Sequence, residues 1–367
     1  MKRVLMITAS AGFGGGPQHL HDLAEGMRGN VLVDIACPCQ EPFYQRFRKV
    51  INGELLEIPE RRFTFYDALR ILKFARRRGS NLIHSHGKGA GVYGRVLSKL
   101  SGLPLVHTPH GIHVDQYGQL MRRIYLGYER LSGGVDARTI FVSPSELELA
   151  RSLGIGRKSR SVVICNGVSA PSSTLYQANK REQIRNLQGL DEKDVVVVTL
   201  SRFDFSKNMQ EMVRIADMER RLRFWFIGDG PEYAEVKSVV NERRMSHVWL
   251  PGFVNNPLDY LLAADLYLST SRWEGLPLSL LQASSLRKPI VASDVTGNRD
   301  VVVHNESGYL YPLGKHQIAA EYLNKLFLDR NARHVMGEAG LRRQRDLFSV
   351  THMVRKTLEL YDEVMSN

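Results

Sequence analysis

Strand-like and helix-like segments alternate along this chain in two series. "RVLMIT" is an unbroken apolar run and reads as a buried strand. "PQHLHDLAEGM" follows with apolar residues at helical spacing. "VLVDIAC", the amphipathic "FYDALRILKFARRR", "NLIHSH", "AGVYGRVLSKLSG" ending at a glycine, "LPLVHTPHG", "RTIFVS" and "SVVICNG" continue the pattern. The stretch "VSAPSSTLYQANKRE" is rich in Ser, Ala and Pro, shows no periodicity and reads as a linker. A second series starts at "DVVVVTLSR" and runs through "RFWFIGDG", "HVWLPGF", "DLYLST", "KPIVAS" and "GYLYP", with a last amphipathic segment in "SVTHMVRKTLELYDEV". Alternation of this kind predicts α/β architecture, with parallel sheets covered by helices on both faces. Two series predict two Rossmann-like, doubly wound domains facing across a cleft, with ligands at the carboxyl ends of the strands. The expected boundaries are 1–170 and 191–345 for the two domains, a linker at 171–190 and a C-terminal helix at 346–367.

The length of 367 residues suits two domains, and 43% apolar with 24% charged residues is the balance of a soluble globular protein. No run approaches the roughly 18 apolar residues a membrane span needs. "MKRVLMITASAGFGGG" has a basic start, but its apolar run is about five residues against the 7–15 of a secretory segment, so it reads as a first strand. Cys37, Cys39 and Cys165 form no disulfide framework, and Cys37-Pro-Cys39 is too short for a zinc pair. This predicts a reducing, cytoplasmic setting.

Net charge is +12, which points to phosphate-bearing partners. Arg61, Arg62, Arg70, Lys73, Arg76, Arg77 and Arg78 bunch together, and Arg122-Arg123 follow. This is either a solvated helix face or an anchor for an anionic membrane at the inner face of the plasma membrane. Nucleic acid is not expected, because the basic clusters read as lacking the interleaved aromatics that stacking prefers.

Loops that follow strands carry the candidate chemistry. "GFGGGPQHL" has the flexibility to approach a ligand but not the spacing of a dinucleotide fingerprint, and Asp34 lies inside its strand, so no nicotinamide cofactor is expected. In "LSRFDFSKN", Arg202 and Lys207 are either surface cations or a diphosphate clamp, Arg as a fork of donors and Lys as a point charge. Gly228-Asp229-Gly230-Pro231 is a turn by composition. Phe253 and Val254 serve either packing or recognition of a flat base edge. His84, His86, His107, His110 and His113 gather around two strand ends. His84 and His86 share a face by alternation but lack a nearby acidic or thiol ligand, so no metal is expected; His110, after its strand, is a hydrogen-bonding group for substrate. In "SRWEGLPLSLLQASS", Pro277 suits a first helical position and Gly275 a tight turn. Glu274 then lies just outside a helix mouth, suited to hydroxyls, while the helix N-terminus suits an anion. That pairing suggests a sugar nucleotide.

These segments together resemble glycosyltransferase family 4, the retaining GT-B enzymes of glycosyl transferases group 1. The resemblance rests on "GGGPQHLHDLAEGM", "NLIHSHGKGAGVYGRVLSKLSGLPLVHTPHG", "VICNGV", "LSRFDFSKN" and "SRWEGLPLSLLQAS" and covers nearly the whole chain. It implies a GT-B fold with the acceptor side in the first domain, the donor in the second, and the final helix packed back on the first. It implies that Arg202 and Lys207 bind the donor diphosphate and that Glu274 contacts the donor sugar. Backbone groups of Gly275, Leu276 and Leu278 would serve sugar and phosphate, Phe253 and Val254 the base, and His110 the transferred sugar. Gly15 and Gly16 would line the donor–acceptor junction. The family's second acid is Gln282 here, which still accepts a hydrogen bond from ribose but without charge assistance.

The expected function is therefore retaining, metal-independent transfer of a sugar from a nucleotide sugar, a UDP-sugar by preference. The expected acceptor is a saccharide or lipid-linked saccharide of bacterial surface polysaccharide or glycolipid synthesis. The rival readings are a UDP-sugar epimerase of the same architecture and a non-catalytic nucleotide-sugar or nucleic-acid binding protein.

Overall fold

The computed structural model describes residues 1–112, 114, 117–169 and 174–366, excluding the side chains of 174–177. It divides into two compact units, Met1–Gly167 with Val350–Asn367, and Val168–Ser349.

The first unit runs β1 (Arg3–Thr8), α1 (Gly15–Gly26), β2 (Leu32–Cys37), α2 (Phe43–Val50), β3 (Leu55–Glu57), α3 (Phe65–Arg78), β4 (Leu82–His86), α4 (Lys88–Ser101), β5 (Leu105–Thr108), α5 (Gln119–Ser132), β6 (Arg138–Phe141), α6 (Pro144–Ser152) and β7 (Ser161–Val163). Its seven strands are all parallel in the order β3-β2-β1-β4-β5-β6-β7. Strand order reverses between β1 and β4, the position where open α/β sheets leave a crevice beyond the strand ends.

The second unit carries α7 (Thr174–Leu187), β8 (Val196–Leu200), α8 (Met209–Met218), β9 (Arg223–Ile227), α9 (Tyr233–Glu242), β10 (Val248–Gly252), α10 (Pro257–Ala263), β11 (Leu266–Ser269), α11 (Leu278–Ser285), β12 (Ile290–Ser293), α12 (Asn298–Val301), β13 (Gly308–Tyr311), α13 (His316–Leu328) and α14 (Arg330–Leu347); α15 (Val350–Ser366) returns to the first unit. The second sheet is β10-β9-β8-β11-β12-β13, parallel, with its own reversal between β8 and β11.

Apolar runs explain the strands: Val4, Leu5, Met6 and Ile7 of β1 and Val196, Val197 and Val198 of β8 are fully buried, with helices on both faces. In the first unit α1, α2 and α15 cover one face of the sheet and α3 with α4 the other. α15 packs closely on α1: a Cβ on Gly26 would lie 2.5 Å from Val354 Cγ2.

One sequence expectation needs correction. The stretch read as an aperiodic linker at 171–190 contains helix α7. Tertiary contacts hold it, since Arg181 donates to the carbonyls of Ala263 and Ala264 at 2.6 and 2.7 Å and to Asp265 at 2.6 Å. Arg185 also reaches Asp265, at 3.1 Å. Carbonyls at a helix C-terminus attract cations, and no apolar periodicity records that. Residues 171–173 of the expected linker lie outside the described residues.

Candidate active site

In the second unit, the loops after β8 and β11 meet at the sheet's reversal point. The first loop, 201–208, is shaped by its own side chains. Asp204 accepts from the backbone N–H of Ser206 at 3.0 Å and from its hydroxyl at 2.5 Å, and Arg202 Nε donates to the same carboxylate at 2.8 Å. The loop ends at Asn208, which adopts a left-handed φ of 55° before α8. The turn after β9 buttresses it: Ser201 N–H donates to Ile227 O at 3.1 Å and Phe203 N–H to Asp229 O at 2.9 Å. A Cβ on Gly228 would lie 1.8 Å from Ser201 O, so only glycine permits this approach. The Gly-Asp-Gly turn therefore has a packing role that positions the Arg202 loop.

The second loop, 270–277, is stitched to the first. Thr270 Oγ1 donates to Lys207 O at 2.8 Å, Arg272 N–H to Ser206 O at 2.8 Å, and Arg272 Nη2 to Asn208 Oδ1 at 2.8 Å. Across the seam, Lys207 Nζ donates to Glu274 Oε1 at 2.5 Å, and Ser271 Oγ donates to the same oxygen at 2.7 Å. Both members of the ion pair are partly shielded, which strengthens it relative to a surface pair. A small polar cavity opens here, lined by Thr199, Ser201, Lys207, Ser269, Glu274 and Ser279.

Gly275, Leu276 and Pro277 are buried, and α11 starts at Leu278. Pro277 is thus the residue before the helix (φ −72°, ψ 116°), one position earlier than expected. Gln282 is half-buried on α11. Phe253 and Val254 follow β10, Phe253 exposed and Val254 half-buried. Gly297, at φ 82°, packs against the acidic loop: a Cβ there would lie 2.6 Å from Gly275 O and 3.0 Å from Glu274 Cβ.

In the first unit, histidines crowd the carboxyl ends of β4 and β5. His84 and His86 do share a face, with ring centroids 4.0 Å apart. His84 is held by Tyr361 OH at 2.6 Å, from α15, and by Thr108 Oγ1 at 2.8 Å. His107 Nδ1 lies 2.8 Å from Ser85 Oγ. His110 has a left-handed φ of 58°, and its Nε2 lies 3.2 Å from His86 Nδ1. Burial pushes His107 down to about 4, opposed by Glu129, and drives His84, His86 and His110 well below the usual imidazole range, aided by their neighbouring imidazoles. At neutral pH these rings are uncharged hydrogen-bonding groups.

Gly15 and Gly16 are the first residues of α1, not part of the preceding turn, because the helix begins after Gly14. Gly16 lies beside His110: a Cβ on it would sit 3.7 Å from His110 Cδ2. His113 lies outside the described residues.

Sequence reasoning singled out Arg202, Lys207 and Glu274, and the structure joins the last two directly. It missed Ser271 and Gly297, whose roles depend on loops distant in sequence. It also missed His19 on α1, whose ring centroid is 4.7 Å from that of His110. Helical spacing marks His19 as an inward-facing residue, which a polar residue on an apolar face could have signalled.

Two parallel sheets, each with its ligand-type loops at a strand-order reversal, define the GT-B architecture. Residues 13–170 match the family model for Glycosyltransferase Family 4, and residues 180–343 match that for Glycosyl transferases group 1. The chain belongs to this family and is a glycosyltransferase. It is 24% identical to an Escherichia coli UDP-Gal:alpha-D-GlcNAc-diphosphoundecaprenol alpha-1,3-galactosyltransferase, over 82% of this chain and 79% of that protein. It is 29% identical to the putative teichuronic acid biosynthesis glycosyltransferase TuaC of Bacillus subtilis, over 70% and 64% of the respective chains. Among solved structures, HepE of Anabaena in complex with UDP and glucose matches with a TM-score of 0.85 at 20% identity, covering 99% of this chain and all of that one. A sucrose-phosphate synthase of Thermosynechococcus elongatus matches with a TM-score of 0.85 at 19% identity over the whole of both chains. These likenesses establish the GT-B fold.

Proposed function

We propose that this protein is a retaining glycosyltransferase that takes a sugar from a UDP-sugar and gives it to a lipid-linked saccharide in bacterial surface glycan synthesis. The observation that carries this reading is the Lys207–Glu274 pair at the junction of the loops after β8 and β11. A donor diphosphate competes with Glu274 for the Lys207 ammonium. The carboxylate it releases is then free to accept from sugar hydroxyls. Arg202, exposed on the same loop, adds a fork of donors for phosphate oxygens. As the sugar–phosphate bond breaks, negative charge grows on the diphosphate, and fixed cations stabilise it. Backbone groups of Gly275, Leu276 and Leu278 lie at the mouth of α11, where N–H groups suit an anion. Gln282 serves the ribose, and Phe253 with Val254 the base. In the first unit, neutral His110 is assigned to the transferred sugar, and Gly15 and Gly16 to the donor–acceptor junction.

No Asp-x-Asp sequence occurs, and the cations of the 201–208 loop supply the charge that a metal would, so the chemistry is assigned no metal. The lipid-linked acceptor is supported by the relative named for a diphosphoundecaprenol substrate. It is also supported by the surface of α3. Phe65 (58% exposed) and Tyr66 (72% exposed) stand beside Arg61, Arg62, Arg70 and Lys73. Aromatic residues therefore do accompany the basic cluster, contrary to the sequence reading, and aromatic with basic side chains is the composition of a membrane-interface surface. No helix among the described residues is long and apolar enough to cross a membrane. The reaction is proposed to take place at the cytoplasmic face of the membrane, a reading supported by the basic and aromatic surface beside α3.

Kinetics of Glu274→Ala and Arg202→Ala test the reading. Each variant is expected to lose about 100- to 1,000-fold in kcat/KM for UDP-sugar turnover, the range for removing one preorganised electrostatic group. Full activity in both would refute it.

A further inference from the structure

His19, His86 and His110 come from three separate elements: α1, the end of β4 and the loop after β5. One ring nitrogen of each lies within 4.8 Å of the other two. His86 Nδ1 and His110 Nε2 are already 3.2 Å apart. Two zinc–nitrogen bonds of about 2.0–2.1 Å at a tetrahedral angle put their nitrogens about 3.4 Å apart. One edge of a tetrahedral site is therefore preformed, and a small rotation of the His19 ring would close the others. One nitrogen of the same cluster, His19 Nδ1, is buried with no hydrogen-bond partner, in a residue 3% exposed. A buried polar atom left unpaired is destabilising, and a bound ion would satisfy it. An all-imidazole donor set favours zinc, copper or nickel over magnesium or calcium. The surroundings support these rings: His84, fixed by Tyr361 and Thr108, packs tilted against His86, and Gly16 leaves space beside His110.

We propose that His19, His86 and His110 form an inhibitory site for a borderline transition-metal ion such as Zn²⁺, with a fourth coordination position left for water. Binding commits His110 to the metal and withdraws it from the sugar. This inhibitory half rests on the role given to His110 above, whereas the binding half does not.

Cobalt is the probe, because tetrahedral Co²⁺ absorbs in the visible. One equivalent of Co²⁺ added to the full-length protein is expected to give ligand-field bands that one equivalent of Zn²⁺ removes. His19→Asn and His86→Asn are expected to lose the bands while keeping the wild-type circular dichroism. His21→Asn should keep them; it probes the other nearby group, His21, Asp22 and Glu25, which is more exposed. Absence of bands in folded wild-type protein overturns the site, as does their survival in both His19→Asn and His86→Asn or their loss in His21→Asn alone. Zn²⁺ at one equivalent should also inhibit wild-type turnover and spare His19→Asn; equal inhibition of both overturns the inhibitory role. If the donor reading itself were wrong, the metal-free protein would turn over no nucleotide sugar while the cobalt spectrum stayed as predicted.

Discussion

Gln282 is the residue at which this chain departs from its family's acidic signature, and its place on α11 leaves room for a direct test. A neutral amide accepts a ribose hydroxyl with less energy than a carboxylate does. The difference between a neutral and a charge-assisted hydrogen bond is about 1 kcal/mol, or about fivefold in affinity. Gln282→Glu is expected to tighten UDP binding about fivefold by calorimetry, and unchanged affinity would remove Gln282 from the ribose contact. Glu274 and Lys207 differ in kind. Each holds the other's charge in the free protein, so a variant at either leaves its partner partly shielded and unpaired. Mutational effects there will combine a lost ligand contact with this cost, and the two will not add.

At the scale of elements, the loops are held by backbone geometry as much as by side chains. Gly297 is the clearest case, because its left-handed φ and its approach to Gly275 O leave no room for a Cβ. Gly297→Ala is expected to cost about 1–3 kcal/mol in urea unfolding, and to weaken UDP binding by displacing the Glu274 loop. Wild-type values for both would show that the loop tolerates the shift.

The same residue shows where sequence reading stops. The strands other than β3, the helices α1, α3, α4, α11 and α15, and the post-strand position of Arg202, Lys207, Glu274 and His110 were legible, because apolar runs and helical periodicity are local signals. The seam between 201–208 and 270–277 was not, since Thr270, Ser271 and Arg272 bind atoms more than sixty positions away or act through a neighbour's carboxylate. Helix α7 was hidden for a related reason: its arginines serve the carbonyls at the end of α10, not an apolar stripe. Spacing on α1 marks His19 as inward-facing, but it does not show that His86 and His110, from other elements, lie beside it.

For the whole molecule, the two sheets place their loops by one rule, and most of the excess positive charge belongs to the first unit, where part of it accompanies exposed aromatics beside α3. The α3 surface is expected to bind vesicles containing anionic lipid in co-sedimentation and to bind neutral vesicles much less, with binding falling as salt rises. Equal binding to both would eliminate the electrostatic anchor.

The loop after β8 is proposed to hold the donor's diphosphate. Thermal unfolding of the full chain with and without UDP tests it most directly, because a ligand that binds only the folded state raises its melting temperature. UDP should raise the Tm of the wild-type protein, uridine should do so far less, and Lys207→Ala combined with Arg202→Ala should lose most of the UDP effect. An unchanged Tm with UDP, or the same rise in the double variant as in the wild type, would contradict the account.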